Sequence, residues 1–236
     1  MMSITTIFDN YSYNRDLKSG WGFSCVVKLG EKNILFDTGA EGKLLLDNLE
    51  KMNLNPEIID FIFLSHDHWD HTGGLFELLG KNKKAKVYLL KSFPEGFKSD
   101  IKKMGNEILE LKNFFMIDEK VYTTGELGQI VPEQSLVIDT DKGLVVITGC
   151  AHPGIVEITK KAKEDLKKDL FLILGGFHLL DKRNSAIDSV ILALKDLGVQ
   201  KVAPCHCSGI GAIDLFRKSY KEDFIENGVG KIIPLE

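Results

Sequence analysis

The stretch FIFLSHDHWDHTGG, residues 61–74, follows four apolar positions with three histidines and two aspartates inside six consecutive residues. The chain has six histidines in all. The other three, His152, His178 and His206, also end apolar runs: GLVVITGCAH (143–152), LFLILGGFH (170–178) and KVAPCH (201–206). Short continuous apolar runs read as buried strands. In open α/β sheets, ligand sites form beyond the carboxyl ends of strands. Four strand ends that each carry histidine therefore predict an α/β fold with one metal centre on which those ends converge.

Working outward, FSCVVKLG (23–30) and KNILFDTG (32–39) read as a hairpin turning at residues 30–33. Residues 41–52 have the spacing of a helix with Leu44, Leu45, Leu49 and Met52 on one face. A helix begins in TGGLFELLG directly after the histidine cluster, and KVYLL is a further strand. Residues 92–135 are the least regular part of the chain and could supply a lid or a substrate wall. Within them, Ile101, Met104, Ile108 and Leu111 stand at helical spacing. SLVIDT and GLVVIT then form a second hairpin, followed by a helix over 155–168 and the strand LFLIL. NSAIDSVILALKDLG is a helix with Asn184 or Ser185 as its cap and Gly198 at its close. The strand KVAPC and a helix over AIDLFRKSY end the pattern, giving one domain over 1–236 with two β-rich halves, each carrying helices on its outer side.

Composition narrows the functional classes. Thirty basic and 34 acidic residues give a net charge of −4, which argues against nucleic acid as a partner. No apolar run approaches the ~18 residues of a membrane span, and the first residues lack a secretory pattern. The four cysteines are expected as reduced thiols in a cytoplasmic protein. A small-molecule substrate fits these constraints; the oligomeric state is left open.

The donors in HDHWDH suit a borderline divalent ion, since imidazole nitrogen and carboxylate oxygen both ligate zinc at ~2.0–2.2 Å. In an extended loop His66 and His68 point to the same side, while Asp70 and His71 sit at the turn into the next helix. One short segment can thus offer a pair of ligands to each of two metals. Asp37, in LFDTG, reads either as a turn residue or as a partner that orients a ligating histidine. Cys150 and Cys207 read as small buried residues or as thiolate ligands, and Trp21, Phe23, Trp69 and Phe177 lie beside the motif segments.

SHDHWDHTGG resembles the HxHxDH signature of the metallo-β-lactamase superfamily, and LFDTG, TGCAHPG and PCHCSG resemble its other motifs in the same order. The resemblance implies a four-layer αββα sandwich, two mixed β-sheets flanked by helices, with the metal site at one edge. Carried over by position, His66, His68 and His152 would bind one divalent ion and Asp70, His71 and His206 a second. Zinc comes first, with manganese, iron or magnesium as alternatives. TGCAHPGIV, GGFHL and HCSG are similar to the branch that includes the archaeal 7,8-dihydropterin-6-methyl-4-(β-D-ribofuranosyl)aminobenzene-5′-phosphate synthases. The chain departs from the superfamily at the strand end where a metal-bridging Asp is usual: His178 stands there, and Asp181 follows three residues later. His178 and Asp181 are therefore candidates for a metal ligand or for a group that orients one. The leading expectation is a metal-dependent hydrolase acting on a phosphorylated or ester-containing small molecule, with Asp70 orienting the nucleophile and His178 serving the leaving group. The alternatives are a transferase joining a dihydropterin pyrophosphate to an aryl amine, and a catalytically silent metal- or ligand-binding module.

Overall fold

The computed structural model describes residues 2–236. The chain divides into two compact units, one made of residues up to 112 together with 228–236, the other of residues 113–227. Each holds one mixed β-sheet with helices.

In the first unit the strands are β1 (Met2–Phe8), β2 (Ser24–Leu29), β3 (Lys32–Phe36), β4 (Phe61–Phe63), β5 (Lys86–Leu90), β6 (Ile108–Leu111) and β13 (Ile232–Pro234). Their order is β13-β1-β2-β3-β4-β5-β6. Pairing is antiparallel from β13 to β3 and parallel from β3 to β6. The helices are α1 (Gly42–Lys51), α2 (Trp69–Thr72), α3 (Leu75–Lys81) and α4 (Glu95–Lys103). Leu44, Leu45 and Leu49 of α1 are buried, with Met52 packed against the same cluster as Leu75, Leu78 and Leu79 of α3. Each fully buried leucine contributes about 1.5–3 kcal/mol. Phe36 and Phe63, on adjacent strands, stack with centroids 5.6 Å apart.

In the second unit the strands are β7 (Phe115–Asp118), β8 (Val121–Thr123), β9 (Leu136–Thr140), β10 (Gly143–Thr148), β11 (Leu170–Gly176) and β12 (Lys201–Cys205), in the order β12-β11-β10-β9-β8-β7. Here β10, β11 and β12 are mutually parallel and the remainder antiparallel. The helices are α5 (Ile155–Leu166), α6 (Asn184–Asp196) and α7 (Ile210–Tyr220). The parallel strands are fully buried or nearly so, which is why they read as unbroken apolar runs.

Three sequence expectations need correction. Ile101 to Leu111 is not one helix: α4 ends at Lys103, Gly105 takes φ +90°, and Ile108–Leu111 pairs with β5 as the sheet edge. Asp70 and His71 lie within the separate short helix α2, not at a turn into α3. The N-cap of α6 is Arg183, with no side-chain capping bond, so neither Asn184 nor Ser185 caps it. The stretch 92–135 contributes α4 and β6 to one unit and β7 and β8 to the other.

Candidate metal centre

In both units the candidate residues follow strands that have parallel neighbours. Adjacent parallel strands end together, so short loops after β3 and β4, and after β10, β11 and β12, bring their side chains into reach of one another. Those loops are strained where they turn. Asp37, Ala151, His178 and His206 all adopt left-handed backbone, with φ between 49° and 60°. Such conformations cost non-glycine residues about 1–3 kcal/mol and gather at functional sites.

In the first unit Asp37 organises the histidines. Its Oδ1 accepts from the Ser65 backbone N–H at 2.7 Å, and its Oδ2 accepts from the Ser65 hydroxyl at 2.7 Å. The same Oδ2 accepts from Nδ1 of His71 at 2.7 Å. Because the Ser65 hydroxyl gives its proton to Asp37, its oxygen receives Nδ1–H of His66, 2.9 Å away. Both His66 and His71 are thereby held in the tautomer whose Nε2 carries the lone pair. Thr38 adds backbone and hydroxyl bonds to the His71 carbonyl at 2.7 and 2.9 Å. The His66 ring lies 4.6 Å from that of His68 and 4.3 Å from that of His71. Asp70 Oδ2 accepts from the Trp21 indole N–H at 3.0 Å and lies 3.7 Å from Nε2 of His71. His66, His71, Asp37 and Asp70 are buried.

In the second unit the corresponding organiser is Glu133, fully buried. Its Oε1 accepts from the backbone N–H groups of Cys150 and Ala151 at 3.0 and 2.8 Å. Its Oε2 accepts from the backbone N–H and from Nδ1 of His152, both at 2.9 Å. His152 is thus fixed with Nε2 as its donor nitrogen. The ligand atoms of Cys150, His152 and His178 lie within 4.8 Å of one another, and Cys150 Sγ is 3.4 Å from Nε2 of His206. Backbone contacts tie these loops together. Gly176 N–H donates to the Gly149 carbonyl at 3.1 Å, Phe177 N–H to the Ser208 hydroxyl at 3.0 Å, and Leu179 N–H to the Cys207 carbonyl at 3.2 Å. His178 is held above its ordinary pKa, first by a hydrogen bond with Cys207 and against partial burial. Burial alone would raise the Cys207 thiol; hydrogen bonds with Cys150 and His178 and the charge of His206 outweigh it and bring it well below its ordinary value.

Each unit therefore gathers most of its own candidates. Asp37, His66, His68, Asp70 and His71 are neighbours in one, and His152, His178 and His206 in the other, whereas Asp181 is exposed at the start of the segment leading to α6. Phe23 and Phe177 are core residues, while Trp21 and Trp69 are exposed by about half or more. Sequence reasoning missed Glu133, which lies in the stretch without periodicity and has no motif around it. It left Cys150 and Cys207 open between packing and a thiolate ligand. The donor set suits a divalent metal: three imidazoles have Nδ1 locked on oxygen acceptors, the arrangement by which proteins orient ligating histidines.

Comparison with known proteins identifies the family. The sequence profile of the metallo-beta-lactamase superfamily matches residues 22–141. A 7,8-dihydropterin-6-methyl-4-(β-D-ribofuranosyl)-aminobenzene-5′-phosphate synthase of Methanocaldococcus jannaschii is 33% identical, over 98% of this chain and 96% of that protein. A hydroxyacylglutathione hydrolase of Vibrio vulnificus is 35% identical over 79% of this chain and 69% of that one. The crystal structure of a metal-dependent hydrolase of the β-lactamase superfamily superposes with a TM-score of 0.84 at 27% identity, covering 100% of this chain and 99% of that one. With its two mixed sheets flanked by helices and its ordered strand-end motifs, the chain belongs to the metallo-β-lactamase superfamily.

Proposed function

We propose that the protein is a metal-dependent enzyme that joins an aryl amine to the methylene carbon of a dihydropterin pyrophosphate. The observation that carries this reading is the match to the methanogen synthase along almost the full length of both chains. The divergence at His178, where hydrolases of the superfamily place a carboxylate, is consistent with it. His66, His68 and His152 are proposed to hold one divalent ion and Asp70, His71 and His206 a second, zinc foremost. When bound, such ions stabilise negative charge developing on a departing pyrophosphate.

The chain's own residues divide the remaining work. In the transfer, a carbon–nitrogen bond forms at the pterin methylene while its bond to the pyrophosphate oxygen breaks. The pyrophosphate leaves with the electron pair, and the amine proton passes to solvent. Asp70, steadied by the Trp21 indole, orients the nucleophile. His178, at the mouth of its loop and with its ring 4.6 Å from that of His152, donates a hydrogen bond to the leaving group. The buried thiols suit the cytoplasmic location proposed for the protein.

Hydrolysis is the second reading, favoured by the full-length structural likeness to a metal-dependent hydrolase; water would then replace the amine. Zinc-loaded protein given a dihydropterin-6-methyl pyrophosphate and a 4-(ribofuranosyl)aminobenzene 5′-phosphate separates them by mass spectrometry. The transferase reading expects the coupled product only when the amine is present. Pyrophosphate release at the same rate without amine overturns it for hydrolysis, and binding with no turnover of pterin or phosphoester points to a silent module.

A further inference from the structure

His178 follows the end of β11, and the structure brings a sulfur donor to the neighbouring loop. Cys150, two residues before His152, is buried, with its backbone N–H fixed by Glu133. Its Sγ lies 3.4 Å from Nε2 of His206 and within 4.8 Å of donor nitrogens of His152 and His178. His152 and His206 are the residues proposed above as ligands of the two different ions. A sulfur within reach of both is therefore in the position from which one donor atom can serve two metals. Thiolate sulfur bridges metal ions readily, which a neutral imidazole at His178 does not.

We propose that the Cys150 thiolate is a metal ligand of this protein, shared between the ions that His152 and His206 are proposed to hold. The inference rests on the metal-centre reading given above. Coordination displaces the thiol proton to solvent and leaves the sulfur as the donor. The glycines at the end of β11 make the approach possible: a Cβ on Gly176 would stand 2.4 Å from the Gly149 carbonyl oxygen and 2.6 Å from Cys207 Sγ. A thiolate in the set also has a consequence for metal choice. Sulfur favours zinc, iron or cobalt over manganese and magnesium, which prefer oxygen donors.

Cobalt(II) is the probe, because a thiolate ligand gives it a near-ultraviolet charge-transfer band that imidazole and carboxylate do not. The metal-free protein is loaded with cobalt(II), its cobalt content is measured by plasma mass spectrometry, and its absorption spectrum is recorded. The expected result is a band present in the native chain and in Cys207→Ser but lost in Cys150→Ser, which still retains cobalt. Bound cobalt without the band, or a band that survives Cys150→Ser, overturns the thiolate assignment and leaves the metal centre standing. Failure to bind cobalt at all overturns the metal-centre reading itself. X-ray absorption at the zinc edge of the native protein tests the same point without relying on a variant that folds. It is expected to show a sulfur neighbour at ~2.3 Å; a shell of nitrogen and oxygen alone overturns the inference.

Discussion

Asp37 accepts three hydrogen bonds, two from Ser65 and one from His71, and through them sets which nitrogen of two histidines bears a proton. Asparagine at this position keeps the shape but turns an N–H₂ toward Nδ1 of His71, which must then give up its proton and carry it on Nε2. Asp37→Asn is expected to weaken zinc binding by about 10–100-fold, measured by competition with a chelating dye, with little loss of helix signal. Glu133 is the same device in the other unit, with four donors on its two oxygens. Glu133→Gln leaves two of those donors facing an amide nitrogen, at about 1–3 kcal/mol each, so its melting temperature should fall by several degrees; an unchanged melting curve would contradict that role. The two organisers were unequally legible. Asp37 sits in LFDTG at a predicted strand end, whereas Glu133 acts through a fold-back that brings residues 17 to 19 positions apart together, and no local spacing encodes that.

At the scale of elements, parallel strands place the candidates and small residues let them approach. Gly176→Ala adds a carbon into contact with Gly149 and Cys207 and is expected to cost about 1–3 kcal/mol, seen as a lower urea midpoint. Tyr220, at the end of α7, packs on Phe216 with centroids 6.1 Å apart, but its buried hydroxyl has no hydrogen-bond partner among the described residues. Burial pushes its pKa from the ordinary 10 up to about 12. Because the folded-state value is the higher one, this residue's contribution to stability is present below pH 10 and is lost as pH rises from 10 toward 12. Tyr220→Phe should therefore lessen the loss of stability across that window, and a thermal-melt series at alkaline pH checks it. Most elements were readable because buried parallel strands and amphipathic helices have distinct apolar rhythms. The failure at Ile101–Leu111 has a physical cause. Apolar residues spaced three and four apart satisfy a helix, yet Gly105 releases the chain from α4 and Ile108–Leu111 completes the edge of the sheet beside β5.

At the scale of the molecule, the net charge is −4 and, among the described residues, no helix is long and apolar enough to cross a membrane. The family was legible because HDHWDH and the later motifs are short, ordered and chemically constrained. For Cys150 the sequence left packing and a thiolate ligand open, and the positions of His152, His178 and His206 around it are what favour the ligand proposed above. The proposal that these residues serve metal-dependent chemistry is most directly tested by metal content. Protein purified without chelator or added metal, then offered zinc and freed of excess, should carry two zinc ions per chain by plasma mass spectrometry. His68→Ala and His206→Ala should each lose at least one of them. A native chain that retains no metal after loading would contradict the proposal.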